Sequence, residues 1–185
     1  MDFLGTPDIG LLTFVGLMVA SLVTAFIGVF TGAAGGIVLL GLMATAMPPL
    51  ALIPVHTVVM LGSGVTRTMI MWRYVMRPAV LPFVIGSLIG AAAGARVFVA
   101  LTTVWLEFIL GAFILLVTWM PKLGRFGAER GRFGVLGFAT TFLGVFVSAT
   151  GTILAPFIAA STPDRRVHVA TMGALMTIAH LAKSA

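Results

Sequence analysis

Apolar runs follow one another along nearly the whole chain, and this succession constrains the fold more than any other feature. The runs are Leu11 to Thr31, Gly36 to Pro54, Val55 to Tyr74, Ala79 to Leu101, Thr103 to Met120, Gly134 to Ala149, Thr152 to Ala160 and Val167 to Ala185. A helix needs ~20 predominantly apolar residues to cross ~30 Å of hydrocarbon, and several runs reach that length. Lipid offers backbone N–H and C=O groups no partner, so segments of this length and polarity cross as helices. Residues are 60% hydrophobic and only 9% charged, against about a quarter charged in an average soluble domain. The sequence therefore predicts an all-α membrane protein, a polytopic helix bundle whose solvent is the lipid bilayer.

The formal charge of +6 sits in short gaps between the runs: Arg73 and Arg77, then Lys122, Arg125, Arg130 and Arg132, then Arg165 and Arg166. That is the positive-inside pattern of a multi-pass protein, not a nucleic-acid surface, and it places these gaps on the cytoplasmic side of the inner membrane. The first ten residues hold Asp2 and Asp8 but no Lys or Arg, the wrong start for a cleaved signal, so the first run is expected to be retained. Cysteine is absent, which removes disulfides, thiolate catalysis and cysteine-ligated metals. The five acidic residues are scattered, and no His-Glu-x-x-His, Gly-x-Ser-x-Gly or Walker pattern occurs. Neither an enzyme nor a metal or cofactor site is expected.

The chain also resembles itself. At an offset of 116 residues, TAFIGVFTGAAGGI (Thr24 to Ile37) lies over TTFLGVFVSATGTI (Thr140 to Ile153), with eight of fourteen positions identical. The expected organisation is a first membrane repeat over 1–116 and a second over 117–185 within one integrated membrane domain. A second copy of equal length would run to about residue 232, so the second repeat is expected to be truncated. An odd number of crossings per copy makes the copies face opposite sides, the inverted-repeat plan of many transporters. Purely re-entrant short runs would make them parallel. Charge favours inversion, since Pro48 to His56 has no Lys or Arg whereas its counterpart has Arg165 and Arg166.

Gly28, Gly32 and Gly36 are spaced by four, as are Gly86, Gly90 and Gly94, giving smooth faces on which a second helix can approach. The second set reads as packing. The segment TGAAGG, Thr31 to Gly36, interrupts an apolar run, and its repeat partner SATGT, Ser148 to Thr152, adds hydroxyls at the same place. Exposed backbone survives at membrane depth only beside protein or a water-filled cavity, and a half-helix N-terminus favours an anion. Thr31, Gly32, Gly35 and Gly36, with Ser148, Thr150 and Gly151, are thus candidate binding positions, a plain kink being the rival reading.

An ionisable group near the bilayer centre costs ~2.5–3.5 kcal/mol on the insertion scale. Arg67 lies twelve residues into the run that begins at Val55, and His56, Met60, Ser63 and Arg67 share one helical face. The offset carries Arg67 onto Lys183, which ends a similar face with Thr177 and His180. The sequence predicts that Arg67 and Lys183, at equivalent depth, join Ser63, Thr177 and His180 around one small anionic substrate. The alternative for Arg67 is snorkelling of its long stem toward the basic edge. His56 reads as interfacial.

With these motifs assembled, the chain resembles the TauE/SafE family of sulfite exporters, multi-pass proteins built from two related halves. The resemblance rests on FIGVFTGAAGG, on FLGVFVSATGT followed by Ala155-Pro156-Phe157, on PPLALIPVHTVVMLGSGVTR (Pro48 to Arg67) and on TMGALMTIAHLAK (Thr171 to Lys183). It covers nearly the whole chain. The first break, TGAAGG, stands where the family has a denser glycine cluster. The resemblance implies export of sulfite or organosulfonates such as sulfoacetate without nucleotide hydrolysis by this chain. A homo-oligomer is allowed, and the competing reading is a channel-like or accessory subunit whose repeats serve packing.

Overall fold

The computed structural model describes residues 10–31, 34–119, 130–148 and 151–184. They form α1 (Leu11–Thr31), α2 (Ala34–Ala44), α3 (Pro49–Met71), a short 3-10 turn at Trp72–Tyr74, α4 (Arg77–Val99), α5 (Thr103–Trp119), α6 (Arg130–Val147), α7 (Gly151–Ser161) and α8 (Arg165–Ser184). The segments Leu11–Phe30, Leu50–Tyr74 and Arg77–Val99 are long and apolar enough to cross a membrane. The outer surface is apolar and the interior holds polar groups. Leu12 is 86% and Val99 85% exposed, while His56, Ser148 and His180 are 0% exposed. Water would reverse that distribution; lipid allows it.

The sequence divides a run at Pro54, but the helix does not break there. Pro48, in extended conformation, is the boundary, Pro49 opens α3, and Pro54 lies inside it. Proline at the first helical position loses no intrahelical hydrogen bond and has its φ already set. An exposed Pro54 near the helix start costs one ladder bond without stopping the helix. The preceding run contracts to α2, 11 residues long, or ~16 Å at 1.5 Å per residue, about half a bilayer core.

The small-residue faces determine which helices meet. A Cβ at Gly86 would overlap the Gly134 carbonyl oxygen, one at Gly90 the Phe138 carbonyl oxygen, and one at Gly137 the Phe83 carbonyl oxygen. Numbers rise together along the contact, so α4 and α6 run parallel with their backbones nearly touching. That is the packing role expected of Gly86, Gly90 and Gly94. In contrast, α3 and α8 are antiparallel: Gly64 faces Thr177, the Arg67 stem lies on Gly173, and Met76 N–H donates to Thr171 Oγ1 at 2.9 Å.

This arrangement gathers the arginines of two separate turns at one end of the bundle. The Arg166 guanidinium sits 5.8 Å over the Tyr74 ring, beside Arg73 and Arg77 in the same turn. Such clustering is what the positive-inside rule expects of a cytoplasmic end, while the α2–α3 turn, at the opposite end of α3, carries no Lys or Arg. Lys122 and Arg125 lie outside the described residues.

Helix limits recur at the offset seen in the sequence. α1 ends at Thr31 and α6 at Val147; α3 starts at Pro49 and α8 at Arg165; α2 and α7 are each 11 residues long. One apolar core joins α2, α3, α5 and α6 around Leu40, Leu52, Leu106 and Val147, and another joins α4, α6, α7 and α8 around Phe83, Leu136, Leu154 and Leu175. Between them lies a polar seam.

Candidate functional site

Glycine makes the seam by letting each broken helix fold back on itself. Gly35, at the start of α2, is pressed onto α1: a Cβ there would overlap the Thr24 carbonyl oxygen and lie 2.8 Å from Gly28 N and 2.9 Å from Gly28 Cα. α2 therefore starts beside α1 and runs back along it. Its first turn is level with Met60, at the midpoint of α3, since a Cβ at Gly36 would meet Met60 Sδ at 3.4 Å. Gly151 at the start of α7 likewise faces Met172 and Met176 in the middle of α8. Two half-helix N-termini thus begin near the middle of long helices.

They open onto a cavity of about 70 Å³ lined by Thr24, Ala25, Gly28, Gly36, Met60, Ser63, Gly64, Arg67, Ser148, Gly151, Met172, Gly173, Met176 and His180. The volume suits a small polyatomic ion and falls well below the ~300–1,000 Å³ of pockets for drug-sized ligands. Arg67 is four residues from the C-terminal end of α3, which starts earlier than the apolar run suggests. Helical side chains tilt toward the N-terminus of their helix, which here is toward the bilayer centre. Gly173 supplies the clearance for this, a Cβ on it lying 3.1 Å from Arg67 Cδ. Arg67 therefore lines the cavity with Ser63, one turn back. Among the described residues its guanidinium has no hydrogen-bond or carboxylate partner.

His180, 0% exposed, also lines the cavity, and neither ring nitrogen has a hydrogen-bond partner among the described residues. His56 is fully engaged. Its Nε2 lies 3.0 Å from the Gly36 carbonyl oxygen, which only accepts, so Nε2 carries the proton. Nδ1, in the neutral ring, then accepts from Ser148 Oγ, also at 3.0 Å. Ser148 Oγ is also 2.8 Å from Thr57 Oγ1. Ser148 adopts φ 63, the left-handed conformation that ends helices, while its N–H still donates to the Gly144 carbonyl at 3.0 Å. His56 thus ties the start of α2 and the end of α6 to α3, a role its place in the sequence does not reveal.

The structure does not bring Arg67 and Lys183 together. Lys183 donates to the Gly144 carbonyl and to Ser148 Oγ, each at 3.2 Å, and is not in the cavity wall. Because α3 and α8 are antiparallel, equivalent depth in sequence becomes opposite depth in space. Sharing Ser148 with His56 puts Lys183 level with a residue eleven positions before Arg67, or ~16 Å along the axis at 1.5 Å per residue. Lys183 instead holds the negative C-terminal end of α6. Arg165, at the other end of α8, does the same for α1, donating to the Val29 and Phe30 carbonyls at 3.3 and 3.0 Å.

Of the other predicted positions, Gly36, Gly151, Ser63, Ser148 and His180 converge on the cavity. Gly35 serves the α1–α2 contact instead, and Thr177 donates to its own helix at the Gly173 carbonyl, 2.8 Å away, while packing on Gly64. Gly32, Thr150 and the side chain of Thr31 lie outside the described residues. Thr24 and the three methionines are additions to the expected set, although Thr24 opens the repeated motif and Met60 shares the face of Ser63 and Arg67.

Among the described residues, the cavity thus presents one guanidinium, the Ser63 hydroxyl, an unpartnered imidazole and the positive ends of two half-helices, with no carboxylate in its wall. These groups together select negative charge. The family model for sulfite exporter TauE/SafE matches residues 17–185. No curated protein and no solved structure matches the chain.

Proposed function

Because the chain belongs to the TauE/SafE sulfite exporter family, we propose that it is a secondary transporter that exports a small oxyanion, sulfite or a short organosulfonate, across the inner membrane through the α1–α2–α3–α7–α8 cavity. One observation carries this reading: Arg67, without a protein counter-charge among the described residues, faces a cavity onto which the N-termini of α2 and α7 also open. An ion entering this space gives up hydration, and charge with aligned donors replaces it. A packing or accessory role gives no reason for a cation at that place. The antiparallel pairing of α3 and α8, related by 116 residues, supports two copies facing opposite sides, the arrangement in which rocking of one half exposes a central site to either side.

The absence of cysteine makes accessibility the natural test. Ser63→Cys should react with a charged thiol reagent and be protected by sulfite. Cysteines in the two inter-helix turns, Thr45→Cys and Thr162→Cys, should label from opposite faces of sealed vesicles. Ser63→Cys labelling that sulfite leaves unchanged would argue against the cavity as the substrate site, and labelling of both turns from one face would argue against inverted copies.

A further inference from the structure

We infer that the cavity takes its anion together with a proton, with His180 as the proton-binding group. This rests on the transport reading and adds its coupling ion. His180 is 0% exposed, lines the cavity, and has neither nitrogen hydrogen-bonded among the described residues. Leaving a buried polar group unpaired is costly, so a ligand that pairs it recovers that cost as affinity. An oxyanion offers acceptors only. A neutral imidazole can meet it with one N–H, whereas the protonated ring has two donors and a charge.

The surroundings make that protonation conditional on occupancy. Among the described residues, the charged and titratable groups facing His180 are Lys183, one turn along α8, and His56 on α3, with Arg67 across the cavity, and no Asp or Glu lines the wall. An imidazolium in the empty cavity meets only like charge, and with an anion present it meets opposite charge. Proton and anion therefore favour each other's binding, and the coupling is reciprocal. His56 is poorly suited to the same task. Both its nitrogens are already bonded, to Gly36 and Ser148, so a second proton would require the Ser148 hydroxyl to turn away.

The step involves only proton transfer: one proton from the aqueous phase adds to the free imidazole nitrogen when the anion enters, and leaves when the anion leaves. The test uses sulfate and methanesulfonate, which stay ionised near neutral pH, so any proton taken up is the protein's. Binding to purified protein is followed by thermal shift, and proton uptake by a pH indicator in weakly buffered solution. Wild type should take up as much as about one proton per bound anion. His180→Gln, checked for an unchanged unfolding profile, should bind without uptake, whereas His168→Gln, outside the cavity, should behave as wild type. Stabilisation by either ion without proton uptake in wild type would overturn the inference and leave the anion site standing. So would uptake that persists in folded His180→Gln. No stabilisation by either ion would overturn both.

Discussion

Arg67→Gln should weaken sulfite binding by at least about 100-fold while the helix bundle still forms. Each charge-assisted hydrogen bond contributes ~1.5–3 kcal/mol, and a guanidinium offers two in parallel to an oxyanion, so removing them costs ~3–6 kcal/mol at ~1.4 kcal/mol per tenfold in affinity. Gln keeps hydrogen-bond donors but not the charge. Its shorter stem still lies on Gly173, and since the guanidinium holds no other described element in place, nothing structural is lost with it. Arg67→Lys should fall between the two, with the charge kept and the planar fork lost. Sulfite titrations followed by thermal shift give the affinities. An Arg67→Gln affinity within about twofold of wild type would remove Arg67 from the site.

Two adjacent glycines should behave very differently when each is changed to alanine. At Gly35 the added Cβ would overlap the Thr24 carbonyl and crowd Gly28 N and Cα at 2.8 and 2.9 Å, all of them backbone atoms that cannot turn aside. Relief requires α2 to move off α1, and the expected loss is ~3 kcal/mol or more, at the upper end for overpacking. At Gly36 the nearest atom is Met60 Sδ at 3.4 Å, the mobile end of a flexible side chain. There the gain in helix propensity, up to ~1 kcal/mol, offsets any adjustment. Thermal unfolding in detergent should show Gly35→Ala far below wild type and Gly36→Ala close to it. Equal midpoints would mean that α1 and α2 are not in contact as described.

The helix break and one wall of the cavity are legible in the sequence. Gly28 and Gly35 sit in a motif that occurs twice, and a run of small residues in an apolar segment already implies a break. Ser63 and Arg67 share a face because they are four residues apart, and that face turns toward the cavity. The relation of Arg67 to Lys183 is not legible. A self-alignment gives correspondence along the chain but no direction in space, and the antiparallel packing of α3 and α8 converts correspondence into separation. His56 passes for an interfacial residue because its partners, Gly36 and Ser148, are 20 and 92 residues away. The extra length of α3 is hidden by Pro54, since proline usually marks a boundary and here lies within the helix.

If Arg67 and the two half-helix ends form a transport site for a small oxyanion, the most direct measurement is flux of radiolabelled sulfite across proteoliposomes. Vesicles would contain the wild-type protein or Arg67→Gln, with both shown to be folded. Saturable flux above protein-free vesicles is expected for wild type, and its loss in Arg67→Gln. Equal flux in the two proteins, or none in folded wild type, would contradict a transport site built on Arg67.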